Sequence, residues 1–164
     1  AAMGFKRLIF FNAHGGQIGL LQAVARQLRI QCPSMAVLPC FLWSGVNNLK
    51  ELIPIREVEE GLHAALAETS LMLHMQPNWV GEERPIDGIN HEESFSVQKS
   101  PPKGWSLEGA APCAWLTEDL SQTGVIGDSS SSNAELGQNI EKELVEHWLK
   151  LFSGLMVSNW PPVK

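Results

Sequence analysis

The chain has 164 residues, a length that suits one domain (residues 1–164) with a sizeable core. Its net charge of −6 at pH 7 is spread without a basic patch, which argues against nucleic acid as a partner. No apolar run approaches the roughly 20 residues that a membrane span needs. Its three cysteines lack a C-x-x-C spacing, which predicts reduced, mostly buried thiols in a cytosolic protein. They are Cys32, Cys40 and Cys113.

Residues 1–7 show no initiator methionine and no signal peptide. We interpret them as the end of a helix closed by Gly4, so a segment is expected to be missing upstream. The apolar run at residues 8–11 then predicts a strand buried on both faces of a sheet. A glycine turn and a helix to about Arg29 follow, which places His14 at the carboxyl end of a strand. In open α/β sheets ligands bind at that end.

Three interpretations of this turn stand side by side. The imidazole of His14 can serve as a metal ligand or a proton carrier. The glycines can instead cradle a phosphate at the helix start, although Gly15, Gly16 and Gly19 do not form G-x-G-x-x-G and no lysine follows. In the third interpretation, Asn12 and His14 only hydrogen-bond the turn.

Residues 35–42 are apolar and predict a second strand of the same sheet, interrupted or at an edge because Pro39 lacks a backbone donor. The helix between the two strands makes a parallel β-α-β unit the default. A short helix is expected at residues 49–53, closed by Pro54. The overall class is therefore α/β.

Residues 64–75 are rich in helix formers, so we predict a helix with His63 at its start and Glu68 in its interior. A glutamate among alanine, leucine and methionine is costly to bury unpaired, so an inward-facing Glu68 needs a cation. The alternative is that Glu68 faces solvent or a lysine. His74 is interpreted as a partly buried surface residue, and Trp79 as core or interface.

From residue 81 to about residue 109, proline and glycine break any regular element and predict a loop in which Trp105 covers a pocket or packs on another subunit. His91, Glu92 and Glu93 are adjacent and do not converge on one ion as H-E-x-x-H does. Residues 111–116 are interpreted as a short strand, and residues 124–128 as a tight turn with Asp128 in a structural role. A helix is predicted at residues 133–152, ended by Ser153 and Gly154.

Three segments carry a resemblance to a known family. Residues 11–17 read F-N-A-H-G-G-Q, residues 63–73 read H-A-A-L-A-E-T-S-L-M-L, and residues 119–128 read D-L-S-Q-T-G-V-I-G-D. They resemble, in order, the N-G-H-G-G-N, H-A-G-E-x-E-T-S-L-M-L and D-L-S-x-S-G-V-I-G-D-P segments of the creatininase (creatinine amidohydrolase) family. The resemblance covers about residues 3–152.

The resemblance implies a three-layer α/β/α fold with a mostly parallel sheet, and a metal-dependent amidohydrolase that cleaves a C–N bond of a cyclic or linear amide. It implies His14 as a metal ligand, His63 as the group that passes a proton to the leaving nitrogen, and Glu68 as ligand or base. Imidazole and carboxylate suit Zn, Mn or Fe. The implied partners are a small amide substrate and further copies of the chain, since family members are commonly ring-like homo-oligomers.

The chain also departs from the family pattern. Gly16 stands where creatininase carries a glutamate ligand, Leu66 replaces the first glutamate of H-A-G-E-x-E-T-S, Ser129 replaces a proline, and Glu59-Glu60 replace a Trp-Asp pair. The upstream Glu, His and Asp ligands of the family have no counterpart in these 164 residues. Two hypotheses therefore follow: part of a metal-dependent amidohydrolase, or an inactive structural or interaction module that keeps the fold.

Overall fold

A computed structural model describes residues 1–88 and 101–161. The chain divides into two compact units. The first comprises Ala1–Asn47 and Glu143–Lys164, and the second comprises Asn48–Lys142. Within the described ranges no helix is both long and apolar enough to cross a membrane. The single-domain expectation for residues 1–164 stays a prediction.

The first unit is built on a β-α-β arrangement. Strand β1 (Arg7–Asn12) leads through a 3-10 turn at Gly15–Gln17 into helix α1 (Ile18–Gln31), and strand β2 (Ala36–Phe41) follows. The two strands pair in parallel, from Arg7 beside Ala36 to Asn12 beside Phe41. This confirms the α/β class and the β-α-β unit expected from the sequence.

The environment of these strands differs from the expectation. Most side chains of β1 are half-buried and Phe11 is 51% exposed, so β1 is not buried on both faces. Pro39 does not interrupt β2 and lies beside Phe10. Among the described residues this sheet has two strands, so each strand has one unpaired edge, where a missing proline donor is tolerated.

Helix α6 (Ala134–Val157) is the longest element, at 24 residues. It passes through Ser153 and Gly154, so its predicted end was wrong, because one interior glycine costs only about 1 kcal/mol in a long packed helix. In the first unit its aromatic side chains pack against Phe11, with ring centroids at 4.9 Å for Trp148 and 5.7 Å for Phe152. The Trp148 indole N–H also donates to the Leu42 carbonyl at 2.7 Å.

The second unit contains short elements around a small core. Its described helices are α2 (Leu49–Leu52), α3 (Ile55–Glu60), α4 (Leu66–Met75), α5 (Thr117–Leu120) and the first part of α6, residues 134–142. Strand β3 (Ile86–Asp87) pairs antiparallel with β4 (Gly127–Asp128). The core includes Leu66, Leu120, Ile126 and Ile140. Helices α3 and α5 were not predicted, because four to six residues are too few to display a helical period.

In the second unit, the expected strand at residues 111–116 was wrong, and so was the core alternative for Trp79. Residues 111–116 contain a single bridge, between Ser106 and Pro112, in place of a strand. Trp79 is 80% exposed, which excludes the core alternative, whereas the interface alternative stays a prediction. In both cases a short apolar sequence pattern did not reveal whether neighbouring elements would cover it.

Candidate functional site

His14 lies in an extended conformation between β1 and the 3-10 turn, at the carboxyl end of β1 as predicted. Its side chain is exposed. The turn is closed by Asn12, whose side-chain amide donates to the His14 carbonyl at 2.6 Å and whose Oδ1 accepts the His14 N–H at 3.2 Å. Asn12 therefore hydrogen-bonds the backbone of the turn, as the third interpretation requires.

A residue that the sequence reasoning missed also holds this turn. The indole N–H of Trp43 donates to the Ala13 carbonyl at 3.1 Å, and the Leu42 N–H donates to the Asn12 carbonyl at 2.8 Å. Both residues follow β2, so the segment after β2 supports the turn after β1. The signal was available, because the carboxyl ends of neighbouring parallel strands meet at one edge of a sheet.

His63 lies in the second unit, on the loop between α3 and α4. Its backbone pairs with Ile126 in an antiparallel bridge: the Ile126 N–H donates to the His63 carbonyl at 2.8 Å and the His63 N–H donates to the Ile126 carbonyl at 3.2 Å. Ile126 is 1% exposed. The bridge therefore ties the backbone of the half-buried His63 to the core of this unit.

The residue after His63 is in a strained conformation. Ala64 has a φ of +50°, the one positive φ outside glycine in the part of the chain that the structure describes. A left-handed backbone costs a residue with a Cβ roughly 1–2 kcal/mol. The Thr69 hydroxyl donates to the Ala64 carbonyl at 2.8 Å, which helps to hold this conformation.

Glu68 lies in the first turn of α4, not in the helix interior. Its Oε2 accepts the Ala64 N–H at 2.8 Å, so the half-buried carboxylate is stabilised by a backbone donor. This backbone contact was not predicted from the sequence, and the cation alternative for Glu68 stays a prediction. The contact is local, because a carboxylate in the first turn of a helix reaches the N–H groups that precede the helix.

Glu57 is a second carboxylate at this loop, and the sequence analysis did not single it out. It is 8% exposed, and its two oxygens accept backbone N–H groups of Leu66 at 3.0 Å and of Asp128 at 3.1 Å. It belongs to α3, whose existence the sequence did not reveal. Leu66 itself is 4% exposed, so the position that carries a glutamate in the family is a core position here.

Asp87 organises the segment that resembles D-L-S-x-S-G. Its Oδ2 accepts the Ser121 hydroxyl at 2.8 Å, the Gln122 N–H at 2.8 Å and the Thr123 N–H at 3.0 Å. Burial alone would raise the pKa of Asp87, but the hydrogen bonds from Thr123, Ser121 and Gly88 outweigh it and lower the pKa below its ordinary value. The segment is thus attached to an ionised carboxylate.

The other polar residues and cysteines considered from the sequence make contacts that support the fold or are half-buried. His74 pairs with Glu141 at 2.9 Å at a half-exposed position. Burial would raise the pKa of Asp128, but hydrogen bonds from Ser130 and Ser131 lower it, in keeping with the structural role predicted for this residue. The three cysteines are free and half-buried. The interpretation of His91, Glu92 and Glu93 falls outside the described residues.

The metal that the family pattern implies needs a group of at least three suitable side chains. Among residues 1–88 and 101–161, no three His, Cys, Asp or Glu side chains are grouped as a metal site requires. One Glu68 oxygen is also engaged by Ala64. The described donors therefore do not fit a complete centre, although an imidazole and a carboxylate have suitable chemistry.

The first unit thus shows a parallel strand pair that leads into a glycine turn with His14, and the second unit shows a loop with the half-buried His63. Together they define an α/β protein. A family model described as creatininase, creatinine amidohydrolase, matches residues 1–152. The chain therefore belongs to the creatininase family, as its three motifs indicated.

Individual relatives agree with this assignment. The mycofactocin precursor peptide peptidase of Mycobacterium tuberculosis is 26% identical over 170 residues, which cover 99% of this chain and 52% of that protein. The protein of the same name from Mycolicibacterium smegmatis is 26% identical over 139 residues, covering 85% and 45%. The chain thus spans about half the length of the curated relatives that it matches.

A solved structure shows the same fold. It comes from Bacteroides fragilis NCTC 9343 and carries the name of a creatinine amidohydrolase. It superposes with a TM-score of 0.65 at 20% identity, over 97% of this chain and 57% of that one. At this identity the likeness concerns the fold alone.

Proposed function

We propose that this chain is part of an amidohydrolase that cleaves the C–N bond of a linear amide in a peptide, with His63 passing a proton to the leaving nitrogen. Family membership supports hydrolysis of a C–N bond. The relatives at 26% identity are named as peptidases, which favours a linear peptide over a cyclic amide. Gly16, in place of the glutamate of creatininase, also argues against creatinine.

The observation that carries the proposal is the left-handed Ala64 beside His63. Strained backbone outside glycine persists only where the surroundings enforce it, and it concentrates at functional sites. Here the N–H of Ala64 is held by Glu68 and its carbonyl by Thr69. In the proposed role, Glu68 acts through the backbone by fixing the main chain from which the His63 imidazole extends, and an imidazole can pass a proton to a leaving group.

A divalent metal, Zn, Mn or Fe, remains part of the proposal for the whole protein, with His14 as one ligand. When bound, such an ion would polarise an amide carbonyl and activate water. The described residues do not complete the ligand set of this ion. The proposed proton transfer therefore depends on His63. A homo-oligomer is likewise proposed from family membership alone.

The test is hydrolysis of short linear peptides and of creatinine by the purified protein, followed by liquid chromatography and mass spectrometry. We expect peptide cleavage and no loss of creatinine. His63→Ala should lower kcat/KM by about 100-fold or more, because a positioned proton carrier contributes roughly that factor. His74→Ala, which alters a histidine paired with Glu141, is the matched control and should leave kcat/KM within about twofold. Equal activity of His63→Ala and wild type would refute the role of His63.

The second candidate function is a structural or interaction module without catalysis. It is favoured by one observation: the carboxylates of Glu57 and Glu68 both bind backbone N–H groups. Elemental analysis after dialysis discriminates between the candidates. Bound Zn, Mn or Fe that His14→Ala loses would favour the hydrolase. Absence of bound metal in both proteins, together with no peptide cleavage, would favour the module.

A further inference from the structure

We propose that Glu57 is a positioning residue for His63, an inference that rests on the proposed function of His63 in amide cleavage. Glu57 is 8% exposed, so its carboxylate is almost completely withdrawn from water. A buried carboxylate is costly unless its oxygens are hydrogen-bonded. Its oxygens are paired separately, Oε1 with the Leu66 N–H at 3.0 Å and Oε2 with the Asp128 N–H at 3.1 Å.

These two donors lie on the two segments that meet at His63. Leu66 is the first residue of α4, three positions after His63. Asp128 lies two positions after Ile126, the residue that bridges to the His63 backbone. The contacts therefore form a closed ring: His63 to Ile126 through the bridge, along the chain to Asp128, across Glu57 to Leu66, and back along the chain. Separating His63 from Ile126 would strain this ring.

The backbone at two glycines lies so close to the Glu57 carboxylate that a larger residue would collide with it. A Cβ at Gly61 would lie 2.5 Å from Glu57 Oε1, and a Cβ at Gly127 would lie 2.7 Å from the same oxygen. Both distances are shorter than a van der Waals contact. Glycine at both positions lets the loop and β4 approach the carboxylate closely enough for it to bind both N–H groups.

The two contacts require a side chain with two accepting oxygens. An ionised carboxylate has two accepting oxygens, whereas an amide has one accepting oxygen and a nitrogen that only donates. Glu57→Gln keeps the shape of the side chain but leaves one of the two backbone N–H groups facing a donor. The matched control is Glu59→Gln, the same change on the exposed side of the same helix α3.

The experiment is NMR on the full 164-residue chain, with amide hydrogen exchange at Leu66 and Asp128 and the ring signals of His63 as the two measurements. In Glu57→Gln we expect exchange at one or both amides to accelerate at least tenfold relative to Glu59→Gln. We also expect the His63 ring signals to shift or broaden while those of His74 stay unchanged. A purely structural loss would accelerate exchange throughout α4 and would leave the His63 ring signals of the folded protein in place.

The wild-type chain provides a test if Glu57→Gln does not fold. The first N–H of a helix has no acceptor within the helix, so Leu66 should exchange at least tenfold more slowly than an unstructured amide only if Glu57 binds it. An unprotected Leu66, or His63 signals identical in Glu57→Gln and Glu59→Gln, would overturn the proposal. These results do not depend on activity, whereas the proposed function fails if His63→Ala cleaves peptide as well as wild type does.

Discussion

The turn that carries His14 and the loop that carries His63 are held in different ways. The His14 turn is exposed and is fixed by hydrogen bonds from Asn12 and Trp43. The His63 loop is attached to buried residues through its bridge to Ile126 and through the side chains of Glu57 and Glu68. We expect a substitution in the exposed turn to have a small effect on stability. A substitution in the loop that packs into a core should have a large effect, because neighbouring core residues have to move. The comparison predicts where substitutions will matter.

The largest effect is expected from Gly127→Ala, which breaks the support of the His63 loop. Gly127 has a φ of +133°, and a Cβ there would lie 2.5 Å from the Ala65 Cβ. Backbone strain and overpacking together should lower the free energy of unfolding by about 3–5 kcal/mol. Gly15→Ala is the matched change in the His14 turn, where an added Cβ meets nothing within 4 Å. It should change the free energy of unfolding by less than about 1 kcal/mol.

Urea denaturation followed by circular dichroism measures both variants. Similar losses in Gly127→Ala and Gly15→Ala would contradict the difference between the two regions.

An intermediate effect is expected from Asp87→Asn. This variant tests residues 121–123, which Asp87 binds and which precede Ile126, the bridge partner of His63. At pH 7 the variant should lose about 1–3 kcal/mol of stability, because the amide replaces an ionised acceptor of several hydrogen bonds. The pKa of Asp87 is lowered in the folded protein from an ordinary value of 3.8. Its stabilisation is therefore present above that value and is lost as the pH falls through the lower folded value.

The measurement is the difference in free energy of unfolding between wild type and Asp87→Asn from pH 7 down to pH 2. This difference should shrink below about pH 4. Glu82→Gln, which alters an exposed carboxylate nearby in sequence, is the control and should show a small difference at every pH. A difference that is independent of pH would refute the role of the ionised carboxylate.

The smallest effect is expected from Ala64→Gly. Removing the Cβ relieves the left-handed strain, which is partly offset by the greater freedom of glycine in the unfolded chain. We expect a gain of about 0.5–1 kcal/mol in stability together with a lower kcat, because the His63 loop becomes less fixed. Ala65→Gly is the matched control: Ala65 has a φ of −87° and is buried, so this variant should lose stability. A loss of stability in Ala64→Gly as large as that in Ala65→Gly would show that Ala64 carries no strain.

The first unit was largely predictable. A continuous apolar run, a helical period and a second apolar run are long enough to be recognised, and they predict β1, α1 and β2 within about two residues. The position of His14 at the end of β1 followed directly. The Trp43 contact was not predicted, because the sequence does not show which side chain crosses between the ends of two strands.

The second unit was less predictable, for a physical reason. Its elements α3, α5, β3 and β4 are two to six residues long and depend on side-chain contacts rather than on their own propensity. The sequence located His63 at the start of a helix, but it assigned Glu68 to the helix interior, whereas Glu68 lies in the first turn. The sequence did not distinguish Glu57 from Glu59 and Glu60, because the burial of Glu57 depends on how α3 packs.

The sequence by itself determined the α/β class, the family, and the residues His14, His63 and Glu68 as candidates. Periodicity and ordered motifs are properties of the chain, so they can be read before folding. Only the tertiary structure decided what the carboxylates do. Glu57 and Glu68 bind backbone N–H groups around a strained Ala64, because those donors reach them only after Ile126, β4 and α4 have packed together.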